Sequence, residues 1–213
     1  MQSLASHIDY TALKPGMTQG DALELCQLAG KHEFAAACLP PYFVSVATEV
    51  LAGSATKVCT VVGFPHGMHV METKLAEADQ LIQAGAGELD IVANLAAFRS
   101  GELAYWQEEI EAFAQLCRRA RVTSKVIIES GLLSIAEVDI AADLCIKAQV
   151  DFVKTSTGFA QVGAELDKVR RLREILPPHM YIKASGGIRS REVALEYIAA
   201  GANRIGTSTL ITD

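Results

Sequence analysis

The chain has 213 residues, of which 50% are hydrophobic, 21% charged and 6% aromatic, a balance that fits a well-buried globular core and excludes intrinsic disorder or collagen-like composition. Its net charge of −6, from 25 acidic and 19 basic residues, lacks the basic excess of a protein that grips a nucleic-acid backbone. No apolar run approaches the ~18 residues of a membrane span, and the opening MQSLASHIDY has neither a basic nor an apolar signal region, so a cytoplasmic location is expected.

Hydrophobic periodicity switches between two rhythms along the chain. Short apolar or β-branched runs predict strands at residues 7–13, 34–39, 58–64, 88–92, 126–128, 151–154, 181–184 and 204–207. Seven segments of helical spacing lie between them. Trp106, Ile110, Phe113 and Cys117 fall on one helical face, as do Leu166, Val169, Leu172 and Leu176. Ser134-x-x-Glu137 is a capping-box pattern, and Gly30, Gly53, Gly85 and Gly201 stand where helices are expected to end. The basic cluster Arg118, Arg119 and Arg121 follows the first of those faces and reads as a helix C-terminus with a solvated side.

Strict β-α alternation implies a parallel sheet with helices outside it. Eight such strands close most simply into a (β/α)8 barrel, here a single catalytic domain over 1–213 with the last helix short or absent. An open doubly wound sheet would carry an early G-x-G-x-x-G turn, which the chain lacks. An internal echo aligns segments 84–90, 148–154 and 200–206, each a helix end, a tight loop and a strand. It sets Asp90, Lys154 and Gly206 at equivalent positions of strands 4, 6 and 8, which feed one layer of a barrel interior.

The chemistry is concentrated at strand ends. Asp90, Lys154 and Lys183 each stand between apolar or small neighbours, where a charge is buried only if paired or employed. A single such lysine reads as an exposed edge or a structural salt bridge, but a closed barrel has no edge. Two lysines and a carboxylate in one mouth suit Schiff-base chemistry, because desolvation and a neighbouring cation both favour the neutral, nucleophilic amine. Asp90 is then the proton shuttle. Thr155-Ser156-Thr157-Gly158, Ser185-Gly186-Gly187 and Gly206-Thr207-Ser208 follow strands 6, 7 and 8, where barrels hold phosphate, and Arg189 stands beside them. Five cysteines without a C-x-x-C pair read as buried thiols in a reducing compartment, and His66-x-x-His69 on a Gly-rich loop is a weak metal pattern.

The segments 153–159, 182–189, 63–67, 88–92, 125–129 and 204–208 together resemble the deoxyribose-phosphate aldolases, in the right order and over nearly the whole chain. That resemblance implies a class I aldolase reversibly cleaving 2-deoxy-D-ribose 5-phosphate to D-glyceraldehyde 3-phosphate and acetaldehyde, without cofactor or metal. It implies Lys154 as the Schiff-base nucleophile, Lys183 as the lysine that lowers the nucleophile's pKa, and Asp90 as the acid/base partner. Phosphate contacts fall on Gly158, Gly186, Gly187, Gly206, Thr207 and Ser208. Asp9, Thr11, Cys38, Lys125 and Thr157 match site-lining positions, although Cys38 reads equally as a core thiol. The expected partners are a sugar phosphate and an aldehyde, with no nucleic acid or membrane, in a dimer or tetramer. A metal-dependent aldolase, a phosphate-binding isomerase with a carboxylate base and a non-catalytic sugar-phosphate sensor are the competing readings.

Overall fold

The structure, a computed structural model, describes residues 3–212, so Met1, Gln2 and Asp213 of the expected domain lie outside the described residues. Its strands are β1 (Ile8–Thr11), β2 (Ala36–Cys38), β3 (Lys57–Val62), β4 (Glu88–Val92), β5 (Thr123–Ile127), β6 (Phe152–Lys154), β7 (Tyr181–Ser185) and β8 (Arg204–Thr207). Each pairs in parallel with the next and β1 pairs with β8, so the sheet closes into the expected eight-stranded barrel. The helices are α1 (Gln19–Lys31), α2 (Val44–Val50), α3 (Met71–Gln83), α4 (Leu95–Arg99), α5 (Leu103–Ala120), α6 (Ile135–Ala148), α7 (Leu166–Ile175) and α8 (Arg191–Ala199). Residues 208–212 after β8 form no helix.

Most local signals hold for physical reasons that can be followed atom by atom. Trp106, Ile110, Phe113 and Cys117 are all buried on α5, and sinking Ile110 and Phe113 contributes roughly 1.5–3 kcal/mol each. The Ser134 side chain accepts from the Glu137 N–H while Glu137 reaches back to the Ser134 N–H, so α6 starts on a complete capping box. Arg118 and Arg119 occupy the last turn of α5, where cations offset the exposed carbonyls.

Three expectations are corrected. Strand β5 begins at Thr123, three residues before the apolar run, because its polar start finds partners inside the fold. Ser124 exchanges hydrogen bonds with Asp151, and the Lys125 ammonium donates to Glu88 and Asp90. Gly30 lies inside the final turn of α1, which runs on to Lys31. A short extra helix, α4, interrupts the β4–β5 connection and is capped by the Asn94 side chain.

Two apolar regions sit on either side of the sheet. A large one packs the helices against the outer face of the barrel, and a small one of Ala36, Cys38, Cys59 and Val61 lies inside it. Charged side chains, not hydrocarbon, fill much of the remaining interior: Asp9, Glu88, Asp90, Lys125, Lys154 and Lys183 are all buried there. That interior positions the site.

Candidate active site

Period-two alternation aims the charges inward. On β4, Glu88 and Asp90 share one face of the strand with Leu89 between them on the other, and on β8 Arg204 and Gly206 share a face in the same way. Asp90 lies at the centre. Its Oδ1 accepts from Lys125 Nζ at 2.9 Å, and its Oδ2 accepts from both Lys154 Nζ and Lys183 Nζ at 2.8 Å. Burial would raise the Asp90 carboxyl, but the three ammonium charges outweigh it and hold the group well below its ordinary value.

Asp9, from β1, makes the second carboxylate of the group, with Oδ2 2.6 Å from Lys183 Nζ and Oδ1 2.6 Å from Arg204 Nη1. Burial opposes its ionisation, yet Lys183, Lys125 and Arg204 bring it down to about 2. Glu88 is the third, paired with Lys125 and lying 3.5 Å from Arg204 Nη2. Burial alone would discharge Lys125 and Lys183, but the surrounding carboxylates hold both well above the ordinary lysine value. That surrounding favours the ammonium form of both lysines.

Above this cluster opens a cavity of about 670 Å³, lined by Thr11, Lys154, Thr157, Gly158 and the loops that follow β7 and β8. Of the three lysines around Asp90, only Lys154 reaches its wall. Lys125 and Lys183 are fully enclosed beneath. The expected phosphate residues Gly158, Gly186, Gly187, Gly206, Thr207 and Ser208 line the same cavity together, with Arg189 at its rim. The backbone N–H groups of Gly187 and Ser208 have no partner among the described residues, which leaves them free for an anion. The Thr207 hydroxyl is already used, donating to Ile188 O at 2.8 Å and accepting from Thr209 N at 3.1 Å. Gly206 is required by packing: a Cβ there would stand 2.8 Å from Ser185 Cβ and 3.2 Å from Lys183 Cε.

The other expected residues divide. Thr157 lies on the cavity wall and is clamped by Glu129, whose carboxylate accepts from its N–H at 3.2 Å and from its hydroxyl. Thr11 also lines the cavity, but its hydroxyl donates to Asp9 O at 2.8 Å. Lys125 and Asp9 lie beneath the cavity, in the charged cluster. Cys38 is a buried thiol beside Cys59 and does not reach the cavity wall; hydrogen bonding to Cys59 lowers it, whereas burial pushes Cys59 up.

Cys38, Cys59 and Asp90 lie close enough to share a metal ion, as do Asp9, Cys59 and Glu88, but ammonium or guanidinium groups already occupy the carboxylates of both sets. His66 and His69 are exposed and belong to neither set. Arg204, Glu88 and Glu129 were absent from the expected site. The period-two spacing of Glu88 from Asp90 and of Arg204 from Gly206 is the signal that points to the first two.

The profile of the DeoC/LacD family aldolases matches residues 5–210. The chain belongs to this aldolase family. A deoxyribose-phosphate aldolase of Brevibacillus brevis is 43% identical over 207 residues, covering 97% of this chain and 93% of that relative. Among solved structures, the aldolase QR15 superposes with a TM-score of 0.93 at 38% identity, covering 98% of this chain and 93% of that one. The tetrameric deoxyribose phosphate aldolase of Aeropyrum pernix gives 0.90 at 36% identity, with 97% and 87% covered. The DeoC/LacD fold thus surrounds a cluster in which one lysine meets the cavity and two remain beneath it. No helix among the described residues is long and apolar enough to cross a membrane.

Proposed function

We propose that this aldolase reversibly cleaves 2-deoxy-D-ribose 5-phosphate to D-glyceraldehyde 3-phosphate and acetaldehyde through a Schiff base on Lys154. The observation that carries the reading is accessibility: a substrate in the cavity meets Lys154 and neither of the other two lysines bound to Asp90. The names of the Brevibacillus brevis and Aeropyrum pernix relatives support the substrate.

The neutral Lys154 amine adds to the C1 aldehyde carbon, and loss of water gives an iminium. Removal of the proton from the 3-hydroxyl breaks the C2–C3 bond, whose electrons flow into the iminium. Glyceraldehyde 3-phosphate leaves, and an enamine remains on Lys154. Protonation at C2 and addition of water then release acetaldehyde and restore the amine. Asp90 and Lys183, 2.8 Å apart and next to Lys154, are the pair suited to move these protons, directly or through water. The free N–H groups of Gly187 and Ser208, with Gly158, Gly186 and Gly206 leaving room for close approach, suit the 5-phosphate.

We read residues 1–213 as a single catalytic domain that works in the cytoplasm as a homo-oligomer, and the tetrameric state named for the Aeropyrum pernix protein supports the oligomer. The decisive experiment is reductive trapping. Borohydride with acetaldehyde is expected to leave a two-carbon adduct on Lys154, located by peptide mass spectrometry. An adduct on Lys183 alone, or none, rejects the mechanism.

A further inference from the structure

The charged groups inside the barrel form a closed circuit. Arg204 pairs with Asp9, Asp9 with Lys183, Lys183 with Asp90, Asp90 with Lys125, Lys125 with Glu88, and Glu88 again with Arg204. Signs alternate at every step, so three cations face three carboxylates and the ring is neutral. Lys154 stands outside it as a seventh charge-bearing group, attached at 2.8 Å to the Asp90 oxygen that also serves Lys183. Among the described residues, Asp90 is the one carboxylate within ion-pairing distance of it.

Net charge is expensive in this setting. The three carboxylates and two lysines of the ring are at most 3% exposed, and Arg204, at 19%, lies over the Phe152 ring at 5.8 Å. The remaining titratable groups facing the ring are Cys38 of β2 and Cys59 of β3, the latter donating to Asp90 Oδ1 at 3.3 Å, both counted as thiols. Glu129, after β5, acts on Lys154 from outside the ring, its carboxylate held by the Thr157 N–H and hydroxyl. The ring itself therefore sets no net charge beside Lys154, and losing any one of its six charges unbalances it by one unit.

We propose that Arg204 and Glu88 are positioning residues that close a neutral six-charge ring, and that its neutrality keeps the Lys154 amine free to react. Neither touches substrate in this reading. Both act through Asp9 and Lys125, which they occupy so that Asp90 is shared among three cations. The inference rests on Lys154 being the Schiff-base lysine.

The test is the acid limb of the kcat–pH profile, read in parallel with the pH dependence of borohydride trapping at Lys154. Arg204→Met leaves the ring with a surplus negative charge, which favours protonated Lys154. Its acid limb is expected to move up by about one pH unit, the effect of a unit charge roughly 10 Å away at an effective dielectric of about 20. Glu88→Gln leaves a surplus positive charge and is expected to move the limb down by a similar amount. The charge-balanced Arg204→Met/Glu88→Gln double variant and Arg204→Lys are expected to return it to the parent position.

Loss of packing alone lowers activity but does not shift two limbs in opposite directions. Should Arg204→Met fail to fold, the near-isosteric Glu88→Gln still decides, because an unmoved or raised limb overturns the proposal. Absence of any Lys154 adduct in the parent enzyme rejects the Schiff-base reading itself. An adduct present with unmoved limbs rejects only the ring.

Discussion

Asp90 accepts from Lys125 through Oδ1 and from Lys154 and Lys183 through Oδ2, so both of its oxygens are committed to cations. Asp90→Asn removes the carboxylate that, alone among the described residues, touches all three lysines, and with it the proposed proton acceptor. Cleavage of deoxyribose 5-phosphate by this variant is expected to slow by about 10²–10⁴-fold, the range for a lost general acid–base. A loss below tenfold in steady-state kcat would count against its role. The inward charges at 90, 154 and 183 were legible because a charged residue flanked by apolar ones in a strand is unusual. Glu88 and Arg204 were less plain, since each begins its strand, where an exposed charge is ordinary, and only period-two spacing from Asp90 and Gly206 marks them. Glu129 was hidden for another reason: its clamp on Thr157 is made in a left-handed backbone conformation, φ 49°, that no sequence pattern announces.

At the scale of elements, the cluster depends on strand ends being held in register by the helices behind them. Lys74 of α3 and Glu109 of α5 meet at 2.9 Å in full burial, outside the barrel. Lys74 Nζ also donates to Val92 O at 2.9 Å, and Glu109 accepts from Asn94 N at 3.1 Å, so the pair ties two helices to the end of β4. Burial lowers Lys74 and raises Glu109, each toward its neutral form, against the attraction between them. Removing one partner strands the other. Lys74→Met is expected to cost about 3–5 kcal/mol in urea unfolding followed by the single tryptophan, Trp106. Lys74→Met/Glu109→Gln should cost clearly less, and equal losses would show that packing dominates. Strands β4 and β8 matched their predicted bounds because a glycine-containing turn, at 84–87 and at 200–203, sets the start of each. The early start of β5 was obscured because Thr123, Ser124 and Lys125 are satisfied by partners distant in sequence.

For the whole molecule, the buried ring links stability to pH. A carboxyl held at about 2 in the folded chain against 3.8 otherwise, as Asp9 is, stabilises fully above pH about 4. That contribution, of roughly 2 kcal/mol, is lost as pH falls through the folded value. Asp90, also depressed, adds to the loss in the same direction. Urea midpoints are therefore expected to be flat from pH 5 to 7 and to drop steeply between about 4 and 2. Asp9→Asn should flatten part of that drop, and an unchanged slope would show that the transition belongs to other groups.

The order of the strands and of every helix but α4, the barrel they close into, and the lysines and carboxylate set between apolar neighbours follow from the sequence alone. These are local: hydrophobic period, caps, turns and the anomaly of a charge in a strand are all written within a few residues. Which lysine meets the cavity and which two are sealed beneath it was decided by the tertiary structure. So was the closing of Arg204, Asp9, Lys183, Asp90, Lys125 and Glu88 into one ring. Those contacts join five strands up to 195 residues apart in the chain. Only the curvature of the closed sheet brings their side chains within a hydrogen bond's reach.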